Sequence, residues 1–336
     1  MTITAGYDVG GAHLKIALVE AGRLVAVRQI ACPLWQGIDR LDAAFDEAAN
    51  LTGSASRHAV TMTAELTEIF ESRQAGVVAI LQKLRERLAG EVRVFMGLKG
   101  FADAASAASD PPSVASANFL ATARVIAERQ SKSLLIDTGS TTTDIVACDR
   151  PQGLTDAERL QTGELVYTGF TRTPVASVAT RAPLAGQWQG LARDAFATLA
   201  DVRRILSELP DDVDGHDTAD GRGKSVAESL TRFARGFGRD ADMRHLATWQ
   251  VSAAYVCERQ LRSIYDGALQ VLSRPGSNIA SVVSAGIGAP VAEAVSVRLG
   301  LPHVCFGVLI DASTEHRLWA TRCAPAVAVA LLHEQR

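Results

Sequence analysis

The sequences YDVGGAHLKIA at residues 7–17 and IDTGSTTTDIV at residues 136–146 follow one plan. In each, an apolar strand ends in an aspartate, Asp8 or Asp137, and a turn of small residues leads into a second apolar strand. This order predicts a β-hairpin. Small residues let backbone N–H groups approach an anion closely, and a strand-end carboxylate can hold a hydrated cation. We therefore expect the two hairpins to face each other and to bind a metal-bound phosphate chain from both sides.

Further phosphate-binding groups are predicted beside these turns. Lys15 brings a positive charge to the first hairpin, whereas Asp144 stands at the matching position of the second, so a site between them would be polarised. Arg172 could hold an anionic leaving group, since guanidinium groups suit phosphate. The sequence SAGIGAP at residues 284–290 is typical of a strand-to-helix turn that receives a phosphate or a nucleoside. The predicted phosphate-binding residues are Gly10, Gly11, His13, Lys15, Gly139, Ser140, Thr141, Thr142, Arg172, Gly286 and Gly288.

Each feature also has a purely structural alternative. The first hairpin could be an ordinary one with a solvent-facing Lys15, the stretch around Arg172 could be an edge strand, and residues 284–290 could form a tight connection. Glu65, just beyond a predicted strand, could be a general base or part of a solvated helix N-terminus. The run of hydroxyl residues in the second turn is a poor choice for strand pairing alone. The two turns together therefore favour a functional site.

The hydrophobic periodicity predicts a duplicated β-β-β-α-β-α plan. In the first half we expect strands at 3–9, 13–20, 23–31, 58–63 and 92–96, helices at 38–51, 76–88 and 114–129, and a loop at 102–112. In the second half we expect strands at 133–137, 143–148, about 159–161, 279–284 and 303–306, and helices at 290–299 and 321–333. An insertion is predicted with helices at 191–209, 226–237 and 240–272 and a polar loop at 210–223. The prediction is thus an α/β protein with domains at 1–130 and 131–336 and a helical insertion over about 188–275.

Composition narrows the class of protein. The chain has 336 residues, 47% of them hydrophobic, which is enough for two domains with a core each. Its formal charge of −3 gives no electrostatic reason to expect nucleic acid or a membrane as partner. The five cysteines show no paired spacing, so neither a disulfide framework nor a zinc site is expected. Without a signal or a membrane-spanning sequence, we expect a soluble cytoplasmic protein. The oligomeric state stays open, with a homodimer among the alternatives.

The quoted motifs resemble a known superfamily. The two turns and residues 286–288 are similar to the two phosphate motifs and the adenosine-side motif of the actin, hexokinase and sugar-kinase superfamily, which implies a duplicated ribonuclease H-like fold. Residues 136–144 are similar to the signature of hydantoinase A and 5-oxoprolinase relatives. A narrower resemblance rests on residues 8–12, 163–175, 197–202, 218–222 and 324–330. These segments resemble a family linked to tetrahydromethanopterin-dependent one-carbon transfer, whose archaeal members are furan-phenol ether synthases of methanofuran biosynthesis.

This resemblance implies a transferase. The phenol oxygen of a tyramine or tyrosine derivative would attack an aminomethylfuran methyl diphosphate and release diphosphate, in the synthesis of methanofuran or bacterial methylofuran. Asp8 and Asp137 would be catalytic residues that hold Mg²⁺, and Glu65 or Asp201 would accept the phenol proton. The partners would be these small molecules. His13 stands where the resemblance leads us to expect Asn.

Three other functions remain open at this stage. The superfamily resemblance permits an ATP-dependent small-molecule kinase, which would need a nucleotide pocket near Gly286 and Gly288. The hydantoinase-like signature permits an ATP-driven cyclic amide hydrolase, although the chain is short for that class. A nucleotide-sensing module or assembly partner is the non-catalytic alternative. A preference for ATP over diphosphate would separate the kinase from the ether synthase.

Overall fold

The computed structural model describes residues 2–335, and its first half forms a six-stranded mixed sheet. The elements of this half are β1 (Ile3–Val9), β2 (His13–Glu20), β3 (Arg23–Ala31), α1 (Asp39–Thr52), β4 (Arg57–Met62), α2 (Arg73–Arg87), β5 (Glu91–Phe95), β6 (Phe101–Asp103), α3 (Ala104–Ala108), α4 (Pro111–Val114) and α5 (Asn118–Arg129). The strand order is β3-β2-β1-β4-β5-β6. Strands β1 to β3 are antiparallel neighbours, while β4 and β5 run parallel to β1.

The second half repeats this topology. Its elements are β7 (Ser133–Thr138), β8 (Thr143–Ala147), α6 (Asp156–Thr162), β9 (Leu165–Val166), α7 (Val175–Val178), β10 (Arg181–Leu184), β11 (Gln187–Gly190), α8 (Leu199–Ile205), α9 (Val226–Arg235), α10 (Leu246–Leu272), β12 (Ser281–Ala285), α11 (Ala289–Leu299), β13 (His303–Cys305), α12 (Thr314–Arg322) and α13 (Ala324–Glu334). The order β9-β8-β7-β12-β13, with three antiparallel and then two parallel strands, matches β3-β2-β1-β4-β5. The predicted duplicated actin, hexokinase and sugar-kinase fold is therefore confirmed.

One hydrophobic core lies between the two sheets and contains α5 and α13. Helix α13, at the end of the second half, packs on β1, β2 and β4 of the first sheet. The approach is close, because a side-chain carbon at Gly6 would lie 2.0 Å from the carbonyl oxygen of Ala326. Helix α5, from the first half, contacts β7 and β8. Since this core is shared, the domain limits 1–130 and 131–336 stay a prediction.

The remaining helices cover the outer faces. Helices α1 and α2 supply apolar residues to the core on the far side of the first sheet, and α10 and α11 do so for the second sheet. The insertion has its own core, formed by α7, β10, α8, α9 and the first part of α10. No helix within residues 2–335 is both long and apolar enough to cross a membrane.

Four of the predicted elements were wrong or incomplete. Residues 159–161 belong to helix α6 rather than a strand, because a capping box between Thr155 and Glu158 starts the helix there. The third strand of the second sheet is instead β9. The predicted helix 191–209 is helical only over α8. The predicted loop 102–112 contains the end of β6, helix α3 and the start of α4. The predicted final helix divides into α12 and α13, with Pro325 in the first turn of α13.

Candidate active site

The two small-residue turns open onto a single cavity of about 360 Å³ between the halves. Residues 10–13 line it from the first half and residues 139–142 from the second. The strand ends Asp8 and Asp137 lie on its wall together with Lys15. The hairpins thus face a common space, as the sequence predicts.

The charges at the strand ends are arranged as a buried cluster. The Lys15 ammonium donates to Oδ2 of Asp8 at 3.2 Å, and Oδ1 of Asp8 is buried without a hydrogen-bond partner among residues 2–335. Burial raises the pKa of Asp137 to about 7. The negative charge of Asp144 adds to this increase, and the positive charge of Lys15 reduces it. Burial lowers the pKa of Lys15, but Asp8 and Asp137 outweigh that effect and hold it above its ordinary value. The cavity therefore contains a fixed cation beside two acidic groups.

The second turn is held in place by the loop that follows β9. Its own ends are joined by the Gly139 N–H, which donates to the Thr142 carbonyl at 2.9 Å. The N–H groups of Phe170 and Arg172 donate to the carbonyls of Gly139 and Ser140 at 2.8 and 2.9 Å. Gly169 packs so closely that a side-chain carbon there would lie 2.4 Å from the Thr141 nitrogen. A turn fixed in this way is preorganised for an anion.

A cluster of rings joins the two halves beside the first turn. The Arg172 guanidinium lies 4.6 Å from the ring centre of Trp35, and the His13 and His216 rings are 4.6 Å apart. His216 belongs to the predicted polar loop 210–223, which thus reaches the first hairpin. Burial, with neighbouring positive groups, lowers the pKa of His13 to about 3 and that of His216 to about 4. Both rings are therefore neutral at physiological pH, and Arg172 supplies a positive charge to this cluster.

Gly286 and Gly288 do not line the cavity, although Ile287 between them does. A side-chain carbon at Gly286 would lie 2.4 Å from Oδ1 of Asp137, and one at Gly288 would lie 2.4 Å from Cγ2 of Thr138. Cδ2 of Phe170 would lie 3.1 Å from the same side-chain carbon at Gly288. The guanidinium carbon of Arg203 lies 3.9 Å from the centre of the Phe170 ring. Both glycines therefore allow close packing behind the cavity wall, and their contact with phosphate stays a prediction.

The prediction for Asp201 is corrected. It is buried, it does not line the cavity, and its Oδ1 accepts hydrogen bonds from Nε and Nη2 of Arg232 at 2.9 and 2.8 Å. Its Oδ2 accepts from the Thr198 N–H at 3.1 Å and so caps α8. A carboxylate held by a fully buried arginine, away from the cavity, cannot accept a proton from a ligand there. Asp201 is a structural residue of the insertion.

Glu65 lies behind the cavity wall rather than on it. It is 1% exposed, and its neighbours Leu66 and Thr67 line the cavity. Oε1 of Glu65 accepts a hydrogen bond at 2.7 Å from Oγ of Ser116, which does line the cavity.

Several lining residues were missed by the sequence analysis. They include Trp35, Leu66, Ser116, Asn118, Asp156, Arg159, Tyr167 and Arg322. Arg159 donates to Asp144 and lies 3.6 Å from the Phe119 ring centre, while Asp156 pairs with Arg73 of the first half. The capping box at Thr155 could have revealed the helix that carries Asp156 and Arg159. No local sequence pattern distinguishes Ser116.

Comparisons with known proteins agree with this architecture. A protein from Methanocaldococcus jannaschii named "(4-{4-[2-(gamma-L-glutamylamino)ethyl]phenoxymethyl}furan-2-yl)methanamine synthase" is 34% identical over 242 residues, which are 71% of this chain and 72% of that protein. The protein of the same name from Methanococcus vannielii is 30% identical over 105 residues, covering 30% of this chain and 47% of that protein.

A nucleotide-free structure of acetone carboxylase is similar in fold. The match has a TM-score of 0.55 and 11% identity and covers 89% of this chain and 67% of that chain. The family model described as hydantoinase/oxoprolinase matches residues 57–335. Since this match covers most of the sequence, the chain belongs to the hydantoinase/oxoprolinase family.

Proposed function

We propose that this protein is a transferase of methanofuran or methylofuran biosynthesis. It would join an aminomethylfuran methyl diphosphate to the phenol oxygen of a tyramine or tyrosine derivative and release diphosphate. The observation that carries this proposal is the convergence of both small-residue turns, both acidic strand ends and Lys15 on one cavity. The name of the M. jannaschii relative supports it, because a phenoxymethylfuran is the ether that such a reaction forms.

The donor set of the cavity fits a hydrated Mg²⁺. Oδ1 of Asp8 is buried and has no hydrogen-bond partner in the described part of the chain, so a cation there would satisfy this acceptor. Within the described residues no group of three or more His, Cys, Asp or Glu side chains could hold a metal by itself. Asp8 and Asp137 would therefore hold the ion together with water and phosphate oxygens, as Mg²⁺ commonly is held. Bound Mg²⁺ would offset the negative charge of the diphosphate.

The residues of the cavity can support the transfer itself. The bond between the furanylmethyl carbon and the diphosphate oxygen breaks, the phenol oxygen bonds to that carbon, and the phenol proton passes to a base. The N–H groups of the two turns, Lys15 and Arg172 would stabilise charge on the departing diphosphate. Since a furanylmethyl cation is delocalised, departure can lead bond formation, and the acceptor then mainly needs orientation. The partly exposed side chains of Trp35, Leu66 and Tyr167 offer apolar surface for the aromatic rings.

The packing around Gly288 argues against the kinase alternative. In the superfamily resemblance, the turn at residues 286–288 is the adenosine-side motif, yet here Thr138 and Phe170 lie directly against Gly288. The buried Phe170 ring, covered by the Arg203 guanidinium, fills the space on this side of the turn. Diphosphate without a nucleoside is therefore the ligand that we propose. We also propose that the protein acts in the cytoplasm.

The proposal is tested by binding and by product analysis. Purified protein with Mg²⁺ is titrated calorimetrically with pyrophosphate, ADP and ATP, and we expect the nucleotides to gain no affinity over pyrophosphate. The protein is then incubated with the furan diphosphate and tyramine, glutamyl-tyramine or tyrosine, and the mixture is analysed by mass spectrometry. Formation of the ether with release of diphosphate supports the proposal. A marked preference for ATP, together with absence of the ether, would replace it with the kinase.

A further inference from the structure

A buried hydrogen-bonded pair stands at the wall of the cavity. Ser116 lies between α4 and α5, is 7% exposed and lines the cavity. Its hydroxyl donates to Oε1 of Glu65 at 2.7 Å. Glu65 follows β4 in a short 3₁₀ turn, Ala64–Leu66. The two residues are 51 positions apart in the chain, so the fold alone brings them together.

The pair is held rigidly on both sides. Helix α2 packs on the turn so closely that a side-chain carbon at Gly76 would lie 2.6 Å from the Glu65 carbonyl oxygen. Ser116 has a φ angle of 50°, in the left-handed region that residues with side chains rarely adopt. Such conformations cluster at functional sites, where the surrounding structure holds a side chain in place.

The hydrogen-bonding capacity of the pair is incomplete. Oε2 of Glu65 is buried, and none of the residues that the structure describes forms a hydrogen bond with it. Burial raises the pKa of Glu65, although the hydrogen bond from Ser116 lowers it, and the charged groups that face it are Arg73 and Asp156. A carboxylate with a raised pKa is a stronger base than an exposed one. An unsatisfied carboxylate in such a place needs an explanation beyond packing.

We propose that Ser116 and Glu65 form the proton-accepting pair for the phenolic substrate. The inference rests on the proposed function. As the phenol oxygen bonds to the furanylmethyl carbon, its proton moves to Oγ of Ser116, and the Ser116 hydroxyl proton moves to Oε1 of Glu65. Diphosphate leaves with the electron pair of the broken carbon–oxygen bond, so the step needs no further reactant. Ser116 contacts the acceptor, and Glu65 acts through Ser116.

The acidity of the acceptor provides a direct test. A base is needed for tyramine, because a tyrosine-type phenol ionises only near pH 10. A ring-nitrated tyramine is far more acidic and is largely ionised in mildly alkaline buffer, so it needs little help. We expect Glu65→Gln and Ser116→Ala to lower kcat/KM by about 100-fold or more with the phenolic acceptor that the wild type uses. With the corresponding nitrated acceptor, most of this loss should disappear.

Controls separate this role from a structural one. Thr122→Val removes from α5 a fully buried hydroxyl that does not line the cavity and has no hydrogen-bond partner among the described residues, so it should behave like the wild type with both acceptors. All variants should bind pyrophosphate with Mg²⁺ as the wild type does, which shows that they fold. Equal losses with both acceptors, or no loss with either, would overturn the inference while leaving the proposed function intact. If the wild type forms no ether at all, the proposed function fails and the inference falls with it.

Discussion

The Lys15 ammonium lies 3.2 Å from Oδ2 of Asp8, while Oδ1 of the same carboxylate is buried and accepts no hydrogen bond from residues 2–335. Asp8 thus uses one carboxylate oxygen to bind the Lys15 ammonium, and its other oxygen could bind the Mg²⁺ that accompanies the ligand. We expect Asp8→Asn to lower the affinity for pyrophosphate with Mg²⁺ by at least about tenfold, or about 1.4 kcal/mol. Calorimetric titration measures the change. Asp46→Asn, at an exposed position of α1, is the matched control, and equal affinities in the two variants would contradict the prediction.

Gly169 is predicted to be essential for the shape of the second turn. A methyl group there would lie 2.4 Å from the backbone of Ser140 and Thr141, so Gly169→Ala must push the turn out of position. We expect a loss of pyrophosphate affinity of about tenfold or more together with a lower melting temperature. Gly190→Ala in β11 meets nothing within 4 Å and should be neutral in both measurements. A Gly169→Ala protein that binds pyrophosphate normally would show that the turn does not contact it.

The Asp201 carboxylate is predicted to matter for stability and not for binding. Removing one partner of a buried ion pair is destabilising, and here it would leave the buried Arg232 with Asp220, 3.0 Å away, as its remaining carboxylate. We expect Asp201→Asn to lower the free energy of unfolding by about 3 kcal/mol, measured by urea denaturation. Under conditions where the variant is folded, its affinity for pyrophosphate should equal that of the wild type. A selective loss of binding or turnover in a stable variant would restore Asp201 as a candidate base.

His13 is predicted to make the folded state sensitive to acid. Its pKa is about 3 in the folded protein and about 6.5 in the unfolded chain, so below pH 6.5 the unfolded chain binds a proton that the folded protein does not. The free energy of unfolding therefore falls as the pH is lowered, by about 1.4 kcal/mol per unit for this group. Between pH 7 and pH 5, His13→Asn should lose about 2 kcal/mol less than the wild type in urea denaturation. The same loss in both proteins would contradict the burial of a neutral ring.

The local signals of the sequence predicted the two hairpins well. Alternating apolar residues and glycine-rich turns define β1, β2, β7 and β8 to within a residue, because these patterns act between neighbours in the chain. The duplication then implied that Asp8 and Asp137 meet, and both do line one cavity.

Partners distant in the sequence account for the errors at the site. The burial of Asp201 depends on Arg232, 31 positions away, and no pattern around Asp201 reveals it. The sequence around Gly286 and Gly288 is compatible with a phosphate turn and with tight packing, and only the positions of Thr138 and Phe170 reveal the packing. Ser116 was not predicted as a site residue, because its proposed role depends on its contact with Glu65 and on the shape of the cavity wall.

The positions of α5 and α13 have a consequence for how the chain can be divided. Each half of the sequence lends a helix to a core that the other half also needs. A fragment that ends at residue 130 would expose the strand face around Gly6 to water, and the complementary fragment would carry an apolar α13 with no sheet to cover. Neither fragment is therefore self-sufficient, and the two should become soluble only when they are produced together.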